Sequence, residues 1–223
     1  MDKIKSKEIV FFGKITAGIT HEIKNVLAII QESSGLMEDI LAITPDETFP
    51  HKDKFNTSLK RIFGQIDRGV DITTRLNTFA HSPDHSPTDV DLNEVSEQMV
   101  LLASRFARLK NVVVDADPHD APMIIHTHPV ALEMALFESI EILLNALNSG
   151  GKIRLYPRKI QDRYVFGVCY EGMAPSQADV FPAVSSSGRW ESLQETMAYL
   201  GGTAKAFDST LEILLYFPRS IPP

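Results

Sequence analysis

The 223 residues, with 43% hydrophobic content, suit one or two domains with a sizeable buried core. A formal charge of −7 with acidic and basic residues interspersed excludes the basic stripe of a nucleic-acid binder. A single cysteine, Cys169, excludes an intrachain disulfide and a cysteine metal site and reads as a small buried hydrophobe. The start, Met1-Asp2-Lys3-Ile4-Lys5, lacks the apolar core of a signal peptide, and no apolar run approaches the ~20 residues of a membrane span. These features predict a cytoplasmic protein.

The first predicted element is a helix over about Lys7 to Ala42. Ile15, Ile19, Ile23, Val26, Ile30, Met37 and Leu41 recur at three-and-four spacing. In its middle stands Thr20-His21-Glu22-Ile23-Lys24-Asn25. Ala17, His21, Lys24 and Ala28 share a stripe beside the apolar seam, which puts the imidazole at the edge of the buried face, within a partner's reach. Gly18 in a helix costs about 1 kcal/mol against alanine, so its presence points to a close approach to the backbone. Glu22 is placed to hold or accept the ring proton and leave the other nitrogen as a nucleophile. Lys24 and Asn25 add a cation and an amide suited to a phosphoryl group. A solvated face with an incidental histidine is the plain alternative.

The stretch from Phe11 to Leu27 resembles the phosphoacceptor box of bacterial sensor histidine kinases. The resemblance implies that His21 takes the phosphoryl group, that Glu22 assists proton transfer and that Asn25 positions a water for phosphatase action. Where that family usually has proline after the asparagine this chain has Val26, which predicts a straighter helix.

Pro45 and Pro50 break the pattern within a polar turn over Thr44 to Asp53. A second periodic stretch follows, with Phe55, Leu59, Ile62, Phe63, Ile66, Val70, Leu76 and Phe79. The two helices predict an antiparallel hairpin. A hairpin cannot enclose its own apolar faces, so two copies are expected to pair as a four-helix bundle in a homodimer. The domains expected are a hairpin over 1–82, a linker over 83–88 with Ser82-Pro83 and Ser86-Pro87 at its ends, and an α/β domain over 89–223.

In that second domain Asp91 is the predicted N-cap of a helix through Val95, Met99, Leu102 and Phe106. Val112 to Val114 reads as a strand, and Pro129 to about Leu147 as a helix closed by Gly150-Gly151. Lys152–Tyr156 and Tyr164–Tyr170 read as strands around a turn at Gln161-Asp162. A last helix precedes Gly201-Gly202, and Leu211 to Phe217 closes the chain as a strand. His126 and His128 stand two apart with no third ligand suggested and read as surface or edge residues; His51, His81, His85 and His119 fall in turns.

That order is similar to the ATP-binding α/β sandwich of the same kinases, so the resemblance covers nearly the whole chain. Its nucleotide motifs look degenerate. His128-Pro129 and Gly150-Gly151 fit the family's brackets around a magnesium-holding asparagine, and that position then falls on Ile142, which offers no oxygen. A shifted register uses Glu141 and Asn145 but breaks both flanks. Tyr170-Glu171-Gly172-Met173-Ala174 puts a phenol where the family has an adenine-binding aspartate and an alanine where it has a glycine. The phosphate-cradling stretch falls on Ser187-Gly188-Arg189-Trp190, with Trp190 a bulky indole expected to pack into the vacant cleft.

The fold class expected is therefore α+β, a helical hairpin followed by a degenerate ATPase-like sandwich. The function expected is that of a histidine phosphotransferase shuttling phosphoryl groups between receiver-domain aspartates through His21. No cofactor of its own is expected, and magnesium comes with the receiver. A phosphatase, a non-catalytic regulator and an active kinase are the alternatives.

Overall fold

The computed structural model describes residues 2–43, 51–82, 87–146, 150–161, 163–172, 188–207 and 210–218. Two long helices open the chain, α1 (Asp2–Ile43) and α2 (Lys52–His81). The rest alternates as β1 (Thr88–Asp91), α3 (Leu92–Arg108), β2 (Val113–Ala116), β3 (Ile124–Thr127), α4 (Pro129–Ala146), β4 (Lys152–Ile160) and β5 (Arg163–Glu171). It ends with α5 (Gly188–Tyr199), β6 (Thr203–Phe207) and β7 (Glu212–Tyr216). Helices α1 and α2 each run longer than the apolar periodicity alone marks out. The short strands β1, β3 and β6 are additions that the sequence pattern did not single out, and Thr88, expected in the linker, opens β1.

The molecule divides into two compact units, one of Thr16–Phe79 and one of residues up to Ile15 together with Ala80–Pro223. Helix α1 belongs to both, its first four turns to the second unit. The boundary at Ile15 differs from a division that assigns all of 1–82 to the hairpin.

The first unit is an antiparallel helical hairpin. Arg68 donates to Glu22 at 3.1 Å, and Arg61 lies 3.9 Å from Glu32, so the α2 partner falls in number as α1 rises. Val26 packs 3.3 Å from the place a Cβ would take on Gly69, which brings the two helices close at that turn. Ile19, Val26, Ile40, Ile72 and Phe79 are buried along the seam. Leu27, Leu36, Leu41, Phe63, Ile66 and Val70 stay exposed.

The second unit is a layered α/β structure. Its five-stranded sheet has the order β2-β4-β5-β7-β6, with β2 parallel to β4 and the other pairs antiparallel; β1 and β3 form a separate antiparallel pair. Helices α3, α4 and α5 cover one face, onto which Ile153, Leu155, Phe166, Val168 and Ile213 point. Helix α4 is apolar nearly all round and buried on almost every side, as the central helix of a layer must be. Asp91 caps α3, its carboxylate accepting from the Asn93 N–H at 3.0 Å. Gly150 and Gly151, at φ 80° and 93°, make the left-handed exit from the α4 region that other residues resist.

The opposite sheet face carries ion pairs between strands, two between neighbours and one, Arg158–Glu212, spanning from β4 across β5 to β7. Lys152 meets Asp115 at 2.7 Å, Arg158 meets Glu212 at 3.0 Å, and Arg154 meets Glu171. Cys169 lies half-buried on this face and not in the core, and burial pushes its thiol pKa up, so it stays protonated and poorly nucleophilic.

Candidate functional site

In the hairpin unit His21 is exposed, near the middle of α1. Its Nδ1 lies 3.3 Å from Asn25 Nδ2, one turn on. Lys24 is exposed on the same stripe, with Ala17 and Ala28 above and below, so small side chains clear the approach to the ring. Gly18 is buried.

Glu22 takes a different position from the one its adjacency to His21 suggests. Successive helical residues point about 100° apart. The imidazole therefore faces solvent, while the Glu22 side chain, only 6% exposed, turns into the hairpin toward Arg68. Glu22 thus fastens α1 to α2 directly beneath the histidine. Asn25 meets the ring at hydrogen-bond distance.

The second unit gathers the positions at which nucleotide residues were sought. Ile142 is buried in the core at 3% exposure. Glu141 and Asn145 stand on the outer stripe of α4 and line one small depression with Phe106 and Lys110. The polar stripe of this helix is thus the Glu141/Asn145 register, and Ile142 is a core residue. The reason is local: bracketing by flanking motifs ignores that Ile142, Leu143 and Leu144 satisfy the core on one side while Glu138, Glu141 and Asn145 follow the 3.6-residue period on the other.

Glu141 is already engaged. Its carboxylate accepts from Lys14 of α1 and, at 2.5 Å, from Arg189 in the first turn of α5. Lys14 also sits over the rings of Phe106 and Phe137, at 5.3 and 5.2 Å from their centroids. Nearby, Glu138 accepts from Ser192 Oγ at 2.5 Å and Thr196 Oγ1 at 3.1 Å, and burial raises its pKa. Lys3 and Lys7 pair with Glu195, and these contacts hold that carboxyl down at about 2. Between this start of α1 and helices α4 and α5 lies a cavity of about 440 Å3, lined by Phe11, Phe137 and the engaged Glu138 and Glu141.

Tyr170 is buried, and its hydroxyl donates to the Gly150 carbonyl at 2.9 Å. A Cβ on Gly151 or Gly172 would fall within about 2.5 Å of the phenol, so the ring fills the space over both glycines. Gly188, Arg189 and Trp190 form the first turn of α5, with Trp190 half-buried. Ala174 and Ser187 lie outside the described residues.

The remaining histidines are edge residues in part. His126 of β3 pairs with Asp89 at 2.8 Å, and the His128 ring lies 5.0 Å from that of Tyr199. Among the described residues no group of three His, Cys, Asp or Glu is placed to hold a metal, and no helix is long and apolar enough to cross a membrane. A buried carboxylate that sequence reading passed over is Glu133 of α4. It accepts from Gln98 Nε2 at 2.9 Å and Ser82 Oγ at 3.3 Å, and burial pushes its pKa up to about 8. Its neighbours in sequence are apolar, and that is the only signal that could have marked it.

The chain thus carries a helical pair bearing an exposed histidine, followed by an α/β domain with a mixed sheet. Over 91% of its length the chain is similar to the Acinetobacter baumannii histidine kinase AdeS, at 15% identity and a TM-score of 0.44, covering 98% of that chain. It is similar over 98% of its length to the histidine kinase ThkA in a complex with the response regulator protein TrrA, at 14% identity and a TM-score of 0.47, covering 65% of that chain. A solved bacterial phosphotransferase matches 94% of this chain and 96% of its own, at 12% identity and a TM-score of 0.45. No family model and no curated protein matches the chain. At such identities what the chain can do is set by its own side chains.

Proposed function

We propose that this protein is a histidine phosphotransferase of two-component signalling, passing a phosphoryl group between receiver-domain aspartates through His21 without binding ATP. The observation that carries the reading is the contrast between an exposed, Asn25-contacted His21 and a Glu141 carboxylate already claimed by Lys14 and Arg189. A glutamate so paired is a poor ligand for the magnesium of a nucleotide, which demands free oxygen donors. The Tyr170 ring over Gly151 and Gly172 supports the same conclusion for the base.

In the reaction the imidazole lone pair forms an N–P bond while the P–O bond of the acyl phosphate breaks and its electrons return to the aspartate carboxylate. Such a transfer depends on positioning and charge compensation, which Lys24 supplies from the stripe beside His21. Glu22 contributes by pinning the helix through Arg68. The receiver brings its own magnesium. Two copies pair through the exposed faces of the hairpin, where Phe63, Ile66 and Val70 lie at three-and-four spacing, into a four-helix bundle. The protein works in the cytoplasm, where receivers reside.

Asn25, beside the ring, also favours a second reading, a phosphatase that orients water on a receiver's phosphoaspartate. Incubating phosphorylated receivers with wild type, His21→Ala and Asn25→Ala separates the two. The phosphotransferase loses all label on the protein with His21→Ala. A phosphatase keeps dephosphorylating the receiver with His21→Ala and stops with Asn25→Ala.

A further inference from the structure

For His21 to attack through one ring nitrogen, the other must carry the proton, because a neutral imidazole has one N–H and one lone pair. Which nitrogen carries it is set by the hydrogen bond the ring makes. Glu22, the expected partner, has its carboxylate drawn into the hairpin by Arg68 at 3.1 Å. The Asn25 side chain instead reaches His21 Nδ1, at 3.3 Å from its amide nitrogen.

We infer that Asn25 is a positioning residue that selects the His21 tautomer, and that turning its amide over switches the histidine between a resting and a reactive form. With the amide N–H2 toward Nδ1, that nitrogen accepts, the proton sits on Nε2 and the outward nitrogen has no lone pair. Rotation of the amide by 180° puts Oδ1 in the same place. Nδ1–H then donates to it and Nε2 carries the lone pair. On attack Nε2 bonds to phosphorus, the leaving group takes the electrons of the broken bond, and the resulting imidazolium keeps its Nδ1–H on Asn25 Oδ1 until solvent removes the proton. The site is exposed, so water has access to that proton. An aspartate in this place would offer only acceptor oxygens and hold the ring in the reactive tautomer; an asparagine offers both faces.

The inference rests on His21 being the phosphoacceptor, so the test reads the ring without a receiver. Nitrogen-15 long-range NMR on the full chain reports the His21 tautomer, and phosphoramidate, a small donor that releases ammonia as Nε2 takes its phosphoryl group, reports nucleophilicity. Asn25→Asp is expected to move the ring toward Nδ1–H. Asn25→Ala is expected to leave it at the ratio of a free imidazole and to slow phosphoramidate labelling about fivefold to tenfold, the loss of one net hydrogen bond. Asn25→Gln or Asn25→Thr, which restore a donor and acceptor, recover part of the rate. Glu22→Gln leaves the tautomer ratio as in wild type. A ratio that shifts with Glu22→Gln and ignores all Asn25 variants would overturn the inference. If the tautomer and phosphoramidate results hold while no receiver donates to His21, it is the phosphotransferase reading that fails.

Discussion

The two units of this chain hold their polar residues in opposite ways. In the hairpin, apolar burial is thin. Ile19, Val26, Ile72 and Phe79 close the seam, large apolar side chains remain in solvent, and the histidine with its stripe of small neighbours is left accessible. In the α/β unit the core is deep and three polar side chains meet partners within the unit: Glu141 with Lys14 and Arg189, Glu138 with Ser192 and Thr196, the Tyr170 hydroxyl with Gly150. His21 thus stands open to solvent, while Glu138, Glu141 and Tyr170 are tied into their own unit.

The strongest way to break that comparison is to cut each unit's apolar contacts. Leu136→Ala, at a fully buried site in α4, is expected to destabilise the α/β unit by about 2–5 kcal/mol in urea titration. Phe63→Ala on the exposed face of α2 should change the stability of the isolated chain by no more than about 0.5 kcal/mol. Comparable losses at both positions would remove the distinction.

Phe63→Asp with Val70→Asp tests the hairpin's open face in another way. If two copies pair through this face as proposed, sedimentation should show that association weakened at least about tenfold, because each copy would bring two charges into the apolar contact. An unchanged dimer would place the pairing surface elsewhere.

A smaller effect concerns Glu133. Its folded pKa is raised from 4.5 to about 8, so between those values the unfolded chain has lost a proton that the folded chain keeps. Stability is therefore fully present below about pH 4.5, falls as pH rises toward about 8 and is level above that. Glu133→Gln keeps the contacts to Gln98 and Ser82 and should flatten the thermal-melt profile across this window. A profile as steep as wild type would assign the pH dependence to other groups.

Much of this was legible in the sequence where the signal was periodic or local. The three-and-four spacing set out both long helices, Asp91 announced its cap, and Gly150-Gly151 marked an exit only positive φ allows. That Asn25 lies on the same side of α1 as His21 follows from helical spacing, and the two side chains come within 3.3 Å. The bond that Glu22 accepts from Arg68, 46 residues on, has no local signature. Ile142 is buried and Glu141 and Asn145 form the polar stripe of α4, as the helical period alone gives. The partners of Glu141 come from α1 and α5, at opposite ends of the chain, and pairings at that separation leave no trace in a pattern. Strands β1 and β6 are four and five residues long and, unlike the equally short β2 and β7, have no run of three large apolar residues in or beside them to mark them.

The central claim, a phosphoacceptor without a nucleotide donor site, is tested most directly by offering wild-type protein two labelled donors in turn. One is magnesium-ATP, and the other is a panel of phosphorylated receiver domains. Label on His21 from a receiver and none from ATP is the predicted result. Label from ATP that His21→Ala abolishes would contradict it, because Glu141 and Asn145 would then be serving a nucleotide in spite of Lys14 and Arg189.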